Sequence, residues 1–397
     1  MTGPVNRSQT STAELERRWE AVRSAMRAEG LDALVMQNTS DWVGGYARWF
    51  TDIPATNGYP RTVVFYAVQP MTVIEMGSFD TSRDLDGRDP IHRGVGRIVN
   101  TPSFVSIGYT NSYDADLLVE ELKRNGPKKI GLLTPGALPF ALVSALKNEL
   151  GTGVEIVDAT DLVDTIKAIK SPEEIALIRE VADLQDKVFA AVCGYIRPGL
   201  RDIDLANFAQ AEAHRLGSDQ GIFLGTSAPL GSASRFAPRQ LQGRTIGKGE
   251  HFSMLIEVNG PGGMYVEIAR TMVLGQATQA LKDAFATVKE SQDYNLSLLK
   301  PGVPAAEVAA KHDDWMAARG LPVERRLYAH GQGVDMVERP LIRRDETMTI
   351  AENMCLAVHP GYDDGTVFAV ICDNYMIGPD GPGACLHKTE KKIFEID

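Results

Sequence analysis

The spacing of apolar and polar positions divides the chain into recognisable elements. Leu15, Trp19, Val22 and Met26 recur at helical spacing behind a Ser11/Glu14 capping pair, and Gly30 follows as a stop, which predicts a first helix. "ALVM" (33–36), "TVVFYA" (62–67), "TVIEM" (72–76) and "KIGLL" (129–133) are apolar runs of strand length. The last lies between two helical stretches, so residues 1–165 are expected to form an α/β domain. "VDTIKAIK" (163–170) then closes that domain and links it to the next. A sharp helix start follows in "IKSPEEIALIRE" (169–180), with Ser171 as N-cap, Pro172 in the first turn and Glu174 three residues beyond the cap.

Residues 166–397 contain a repeat. "YIRPGLRDIDLANFAQAEAHRLG" (195–217) aligns without a gap with "LLKPGVPAAEVAAKHDDWMAARG" (298–320), at an offset of 103 residues. Each copy opens on a basic residue and Pro-Gly, continues at helical spacing and ends in Gly. Strand-like runs follow both: "HFSMLIEV" (251–258) and "GGMYVEIARTMVLG" (262–275) after the first, then "LYAHG" (327–331), "MCLAVHP" (354–360) and "VFAVICDNYMI" (367–377) after the second. Two pseudo-symmetric halves, each a helix pair on a curved antiparallel sheet, account for this order.

Composition narrows the function. Hydrophobic content of 44% and charged content of 23% are ordinary for a globular protein, and no apolar run approaches the roughly 20 residues that span a bilayer. A formal charge of -11 argues against nucleic acid and against an anionic membrane surface as partners. The start of the chain lacks the apolar core of a secretory signal, and the four cysteines include no CxxC pair, so a cytoplasmic location with reduced thiols is expected.

Candidate chemistry clusters in the second half. Asn259 to Gly263 is turn-rich between β-like flanks, and pairing Val258 near Met264 places Glu257 and Glu267 on one face with Tyr265 and Thr271. Two acids among apolar neighbours are costly unless a metal, a cationic substrate or a shared proton compensates them, or unless that face is solvated. His330 sits in a glycine-rich loop, "AHGQG". His359 ends an apolar run before Pro-Gly, and Cys372 lies in another run, where it also reads as a small hydrophobe.

These motifs, in this order, resemble the creatinase, aminopeptidase P and prolidase superfamily, with its pita-bread fold. The residues that carry the likeness are "SPEE" (171–174), the two Pro-Gly helices, "EIART" (267–271), "HGQG" (330–333) and "VHPGY" (358–362), with "YPR" (59–61) a looser match. The resemblance implies an α+β protein: an N-terminal creatinase-like α/β domain (1–165) followed by a pseudo-symmetric pita-bread catalytic domain (166–397).

Metallopeptidases of this family hold two cations with two Asp, one His and two Glu. Carried over by motif, those positions are Glu257 (with the spacing to the second acid one residue short), Glu267, His330, His359 and Cys372. All four carboxylate positions have changed, so bridging capacity and charge for ions about 3.5–4 Å apart are lost, and a dinuclear site is not expected. The cofactor is therefore none, or a single divalent metal, Zn or Mn, on Glu267, His330, His359 and Cys372.

Creatinase and ectoine hydrolase are relatives that hydrolyse C–N bonds without metal. Similarity to them implies that Arg339 and Arg61 anchor a substrate carboxylate, with Tyr59 and Tyr265 on the substrate side and Arg61 reaching the site of a partner in a homodimer. The relevant creatinase histidine has no counterpart in "SASRFAP" (232–238), and Ala269 and His359 stand where its glutamates would, which argues against creatine itself. The expected activity is hydrolysis of an amide, cyclic amide or amidine C–N bond in a small carboxylate-bearing molecule. His330 and His359 serve as acid and base, Glu267 orients an imidazole or activates water, and Glu257 is a base or nucleophile. The alternatives are a metal-dependent Xaa-Pro peptidase, a lyase acting on a small zwitterion, and a non-catalytic peptide-binding protein.

Overall fold

The structure, a computed structural model, describes residues 10–56 and 58–397. The chain forms two compact units, Met1–Lys167 and Ala168–Asp397.

In the first unit, α1 (Thr12–Glu29) buries the Leu15, Trp19, Val22 and Met26 stripe. The Ser11 side chain accepts the Glu14 N–H at 3.0 Å, and Gly30 closes the helix in the left-handed conformation. The sheet comprises β1 (Ala33–Asn38), β2 (Arg61–Tyr66), β3 (Met71–Met76), β4 (Ser82–Asp84), β5 (Val95–Thr101), β6 (Lys129–Leu132) and β7 (Glu155–Asp158), in the order β4-β5-β3-β2-β1-β6-β7. It is mixed: β1, β2 and β3 pair antiparallel, while β6 joins β1 in parallel. The short α2 (Tyr46–Thr51) follows β1, and α3 (Tyr113–Asn125) and α4 (Phe140–Leu150) share an apolar core with the sheet. Most of the segment 163–170, read from sequence as a link, belongs to a helix, α5 (Thr160–Ala168).

The second unit begins at the Ser171 capping box, which is complete, and runs into α6 (Pro172–Tyr195). With α7 (Asp202–Leu216) this helix covers β8 (Gly221–Pro229), β9 (Glu250–Asn259) and β10 (Tyr265–Leu274) around a common core. The pattern recurs with α8 (Gln279–Leu298) and α9 (Ala305–Ala318). They precede β11 (Ala329–Gly331), β12 (Glu338–Leu341), β13 (Cys355–Val358), β14 (Gly361–Asp363), β15 (Phe368–Val370), β16 (Asp373–Gly378), β17 (Gly381–Cys385) and β18 (Phe394–Ile396). The sheet orders are β18-β10-β9-β8 and β12-β11-β13-β16-β17, with β14-β15 a separate hairpin. The ends of α6 and α8, and the starts of α7 and α9, are each 103 residues apart, so the sequence repeat is a repeat of helix pairs. No helix among the described residues is long and apolar enough to cross a membrane.

One strand differs from the sequence reading. Residues 367–377 do not form one continuous strand: the run breaks between β15 and β16, at Ile371–Cys372. There Cys372 bridges to Ala269 on β10, with N–H···O distances of 3.3 and 3.4 Å in the two directions. The break lets one segment leave the small hairpin, touch the first sheet and continue in the second.

That junction is clasped by charge. Arg270 and Asp373, both fully buried, pair at 2.6 Å. The guanidinium also donates to the carbonyls of Ala269, Cys372, Glu390 and Thr389, at 2.8–3.1 Å, so each of its five N–H groups has an acceptor. Removing one partner of such a pair strands the other as an unpaired buried charge. Asp373→Ala is therefore expected to lower unfolding stability by about 3–5 kcal/mol in denaturant titration. A loss below about 1 kcal/mol, the range of an exposed pair, would contradict this role.

Candidate functional site

The acidic pair is set by the β9–β10 ladder. Glu257 stands directly opposite Glu267, and Val258 opposite Val266 rather than near Met264. The register differs by two residues from the one read off the turn, so parity is unchanged and both carboxylates still share a face. Both are buried. Tyr265 and Thr271 lie on that face too. The Thr271 hydroxyl meets that of Ser253 at 2.9 Å, and the Tyr265 N–H donates to the Gly333 carbonyl at 2.6 Å, tying β10 to the histidine loop.

The glycines of that loop are there for close approach. A Cβ on Gly331 would fall 2.4 Å from the Arg339 carbonyl oxygen, and one on Gly333 would fall 2.6 Å from Lys170 Nζ. The ladder shifts register between His330 and Gly331, which turns His330 toward Glu267. His330 Nδ1 lies 2.8 Å from the Gly331 carbonyl oxygen. A carbonyl can only accept, so Nδ1 carries a hydrogen toward it, which leaves Nε2 as the ring nitrogen turned to Glu267. That nitrogen faces Glu267 Oε1 at 3.8 Å.

His359 completes the group from the end of β13. Its Nε2 is 3.4 Å from the same Glu267 oxygen, is buried and has no hydrogen-bond partner. The two imidazoles meet edge to face, with centroids 5.2 Å apart. Glu267, His330 and His359 thus offer three donor atoms within 4.8 Å of one another. Two nitrogens aimed at one carboxylate oxygen, with one of them orphaned, is the arrangement a cation would complete.

Cys372, also expected among the ligands, lies outside that three-donor group. Its sulfur lies 2.8 Å from Glu267 Oε1 and donates to it. Burial, and then the Glu267 charge, push the thiol well above its ordinary range, so it stays protonated. It orients the carboxylate.

A chain of amides, which the sequence reading missed, fixes Glu257. Asn374 Oδ1 accepts the Glu267 N–H at 2.8 Å, so Asn374 Nδ2 must point to Gln332 Oε1, at 2.6 Å. Gln332 Nε2 then donates to Glu257 Oε1 at 2.8 Å and to the Met336 carbonyl at 3.0 Å. Backbone groups at both ends dictate which way each amide faces. Two signals were available: Gln332 lies inside "HGQG", and Asn374 is a polar residue two positions beyond Cys372 in an apolar run.

Charge in the cluster divides unevenly. Burial, and then the neighbouring Glu267, raise Glu257 well above the usual carboxylate range against the pull of Gln332, and so favour its protonated form. Burial also works to raise Glu267, but His359, His330 and the Cys372 thiol outweigh it and keep this carboxyl low and ionised. Burial pushes His359 down to about 4, with Glu267 opposing. Glu267, His330 and His359 are the donors brought close enough together to share one cation.

The arginines expected to clamp a substrate carboxylate have carboxylates of their own. Arg61 Nε binds Glu75 at 2.8 Å and its Nη1 reaches the Ile53 and Pro54 carbonyls, within the first unit, where Tyr59 is 40% exposed beside Phe104. Arg339 binds Glu346 through Nε at 3.1 Å and Thr347 through Nη2 at 2.8 Å. Its partner is Glu346 rather than the adjacent Glu338, whose carboxylate takes Lys170.

Comparison with known proteins places these features. The chain matches metallopeptidase family M24 over residues 176–379. The uncharacterized peptidase YqhT of Bacillus subtilis is 26% identical over 249 residues, 60% of this chain and 68% of that protein. An Xaa-Pro dipeptidase of Pyrococcus horikoshii is 22% identical over 294 residues, 71% of this chain and 81% of its own. Among solved structures, an Xaa-Pro dipeptidase from Bacillus anthracis superposes with a TM-score of 0.74 at 20% identity, covering 96% of this chain and 100% of that one. The X-Pro aminopeptidase of Thermotoga maritima gives 0.77 at 16% identity, over 95% and 99%.

The protonation of Glu257 is testable in metal-free protein. A carboxyl raised in the folded state binds a proton that the unfolded chain has released, so stability falls as pH rises above its ordinary value of 4.5. Glu257→Gln mimics the protonated form and lacks that slope. Between about pH 5 and 8 the melting temperature of the wild type should therefore fall relative to that of the variant. Parallel melting curves would show that Glu257 is ionised.

Proposed function

The chain belongs to metallopeptidase family M24, within the creatinase, aminopeptidase P and prolidase superfamily of C–N hydrolases, and from that premise we propose that it hydrolyses an amide or peptide bond of a small substrate at a single-cation site. The observation that carries this reading is the convergence of Glu267, His330 and His359, with His359 Nε2 buried and unpartnered. A divalent cation held there, Zn or Mn by donor type, would polarise the scissile carbonyl and acidify a water molecule.

The chain's own groups supply the rest. Glu257 is a buried, protonated acid whose Oε1 is engaged by Gln332, which leaves Oε2 to carry the proton. In this reading it gives that proton to the leaving nitrogen, as a general acid with a raised pKa does. Cys372 and the Glu267 N–H to Asn374 bond hold the Glu267 carboxylate in one orientation. Apolar walls, among them Leu255, Ala269 and Val370, keep water away from these groups.

The names of the relatives, Xaa-Pro dipeptidase and peptidase, support a dipeptide as the first substrate to try. The test is turnover of an Xaa-Pro dipeptide panel and of N-acyl amino acids, after chelation and after return of Zn or Mn, in water labelled with oxygen-18. Activity should vanish with chelator and return with metal, and the product carboxylate should carry the label. Unlabelled products would point to elimination, and activity indifferent to chelation would point to metal-free catalysis by the two carboxyls.

Two variants separate ligand from support. His359→Ala should lower kcat by about 10²–10⁴-fold, as loss of a group acting at the reacting centre does. Cys372→Ala should lower metal affinity by only about 10–100-fold, as loss of a group that orients a ligand does. Complete loss of metal binding in Cys372→Ala would make the sulfur a ligand.

A further inference from the structure

A cavity of about 300 Å³ lies beside β14 and the segment 322–326. Its wall includes Gly361, two residues beyond His359, and the aromatic rings of Phe236, Tyr362 and Phe368. Phe236 and Phe368 pack edge to face, with centroids 5.4 Å apart, in the same apolar cluster as Cys372 and Ala269. Arg326, also in the wall, reaches the His359 carbonyl at 3.4 Å. The cavity is thus tied to the three-donor group through the His359 backbone and the cluster around Cys372, and His359 is the member of that group whose side chain is partly exposed, at 16%.

The charges in this wall do not balance. Arg235 binds both oxygens of Asp363, at 2.5 and 2.8 Å, and Arg326 binds both oxygens of Glu324, at 3.1 and 2.9 Å. Arg325 has no carboxylate partner among the described residues. The lining thus presents three guanidiniums, two of them neutralised, above a mainly aromatic floor.

We infer that this cavity is the substrate pocket and that it takes a monocarboxylate, the carboxylate on Arg325 and an apolar or aromatic body against Phe236, Tyr362 and Phe368. A guanidinium suits this task because its planar fork matches a carboxylate in two parallel charge-assisted bonds. The volume suits a small molecule rather than a folded protein. The assignment moves the anchoring role from Arg339 and Arg61, which are occupied, to an arginine that is not. It rests on the proposed chemistry at Glu267, His330 and His359 for the word substrate, but the binding it describes can be measured without turnover.

The probes are 3-phenylpropionate and its neutral amide, titrated into the full-length protein by ligand-observed NMR. The wild type should bind the carboxylate about tenfold more tightly than the amide. Arg325→Gln should abolish that preference, and Phe236→Ala should weaken both probes together. His330→Ala should keep the preference, since it alters only the catalytic group. Equal affinity for the two probes, absence of binding, or a preference that survives Arg325→Gln overturns the assignment. If the probes behave as expected while His359→Ala leaves turnover intact, the catalytic reading falls and the pocket stands.

Discussion

Two carboxyl groups buried face to face cannot both be ionised in a dry interior, and the structure resolves that conflict by giving the charge to one of them. Glu267 receives the hydrogen of the Cys372 thiol and faces two imidazole nitrogens, whereas Glu257 receives a single amide hydrogen from Gln332. The difference in partners sets the difference in protonation. The three donors gathered here, one carboxylate oxygen and two imidazole nitrogens, suit a single cation.

The fold makes that arrangement possible by bringing four strands to one place. β9 and β10 contribute the acids, β11 and β13 the imidazoles, and the break before β16 contributes the thiol. The Arg270–Asp373 pair, adjacent in sequence to Ala269 and Cys372, secures the junction from behind. It leaves the polar face of β10 free for chemistry while its own charges are fully satisfied inside the protein. The amide chain from Glu267 through Asn374 and Gln332 to Glu257 couples the same elements by hydrogen bonds.

Much of this was legible in the sequence, for local reasons. The Ser171 cap, the 103-residue repeat and the parity of Glu257 and Glu267 depend on short-range patterns, which survive a two-residue error in register. What escaped the reading depends on distant partners. Cys372 looked like a ligand because its position matches one in the resembling family, yet its proton stays on sulfur because a buried carboxylate lies 2.8 Å away. Arg339 and Arg61 looked free because no sequence pattern reveals that Glu346 and Glu75 fold back onto them. Arg325 was passed over for the converse reason: it stands beside Glu324 and Arg326 in a polar run, and its lack of a partner emerges only in three dimensions.

The central claim concerns charge capacity, so counting ions addresses it most directly. Native mass spectrometry of the protein equilibrated with excess Zn or Mn and then desalted should find one ion per chain, lost in Glu267→Gln. Two ions per chain would contradict the account, because the proposed site rests on one group of three donors, Glu267, His330 and His359.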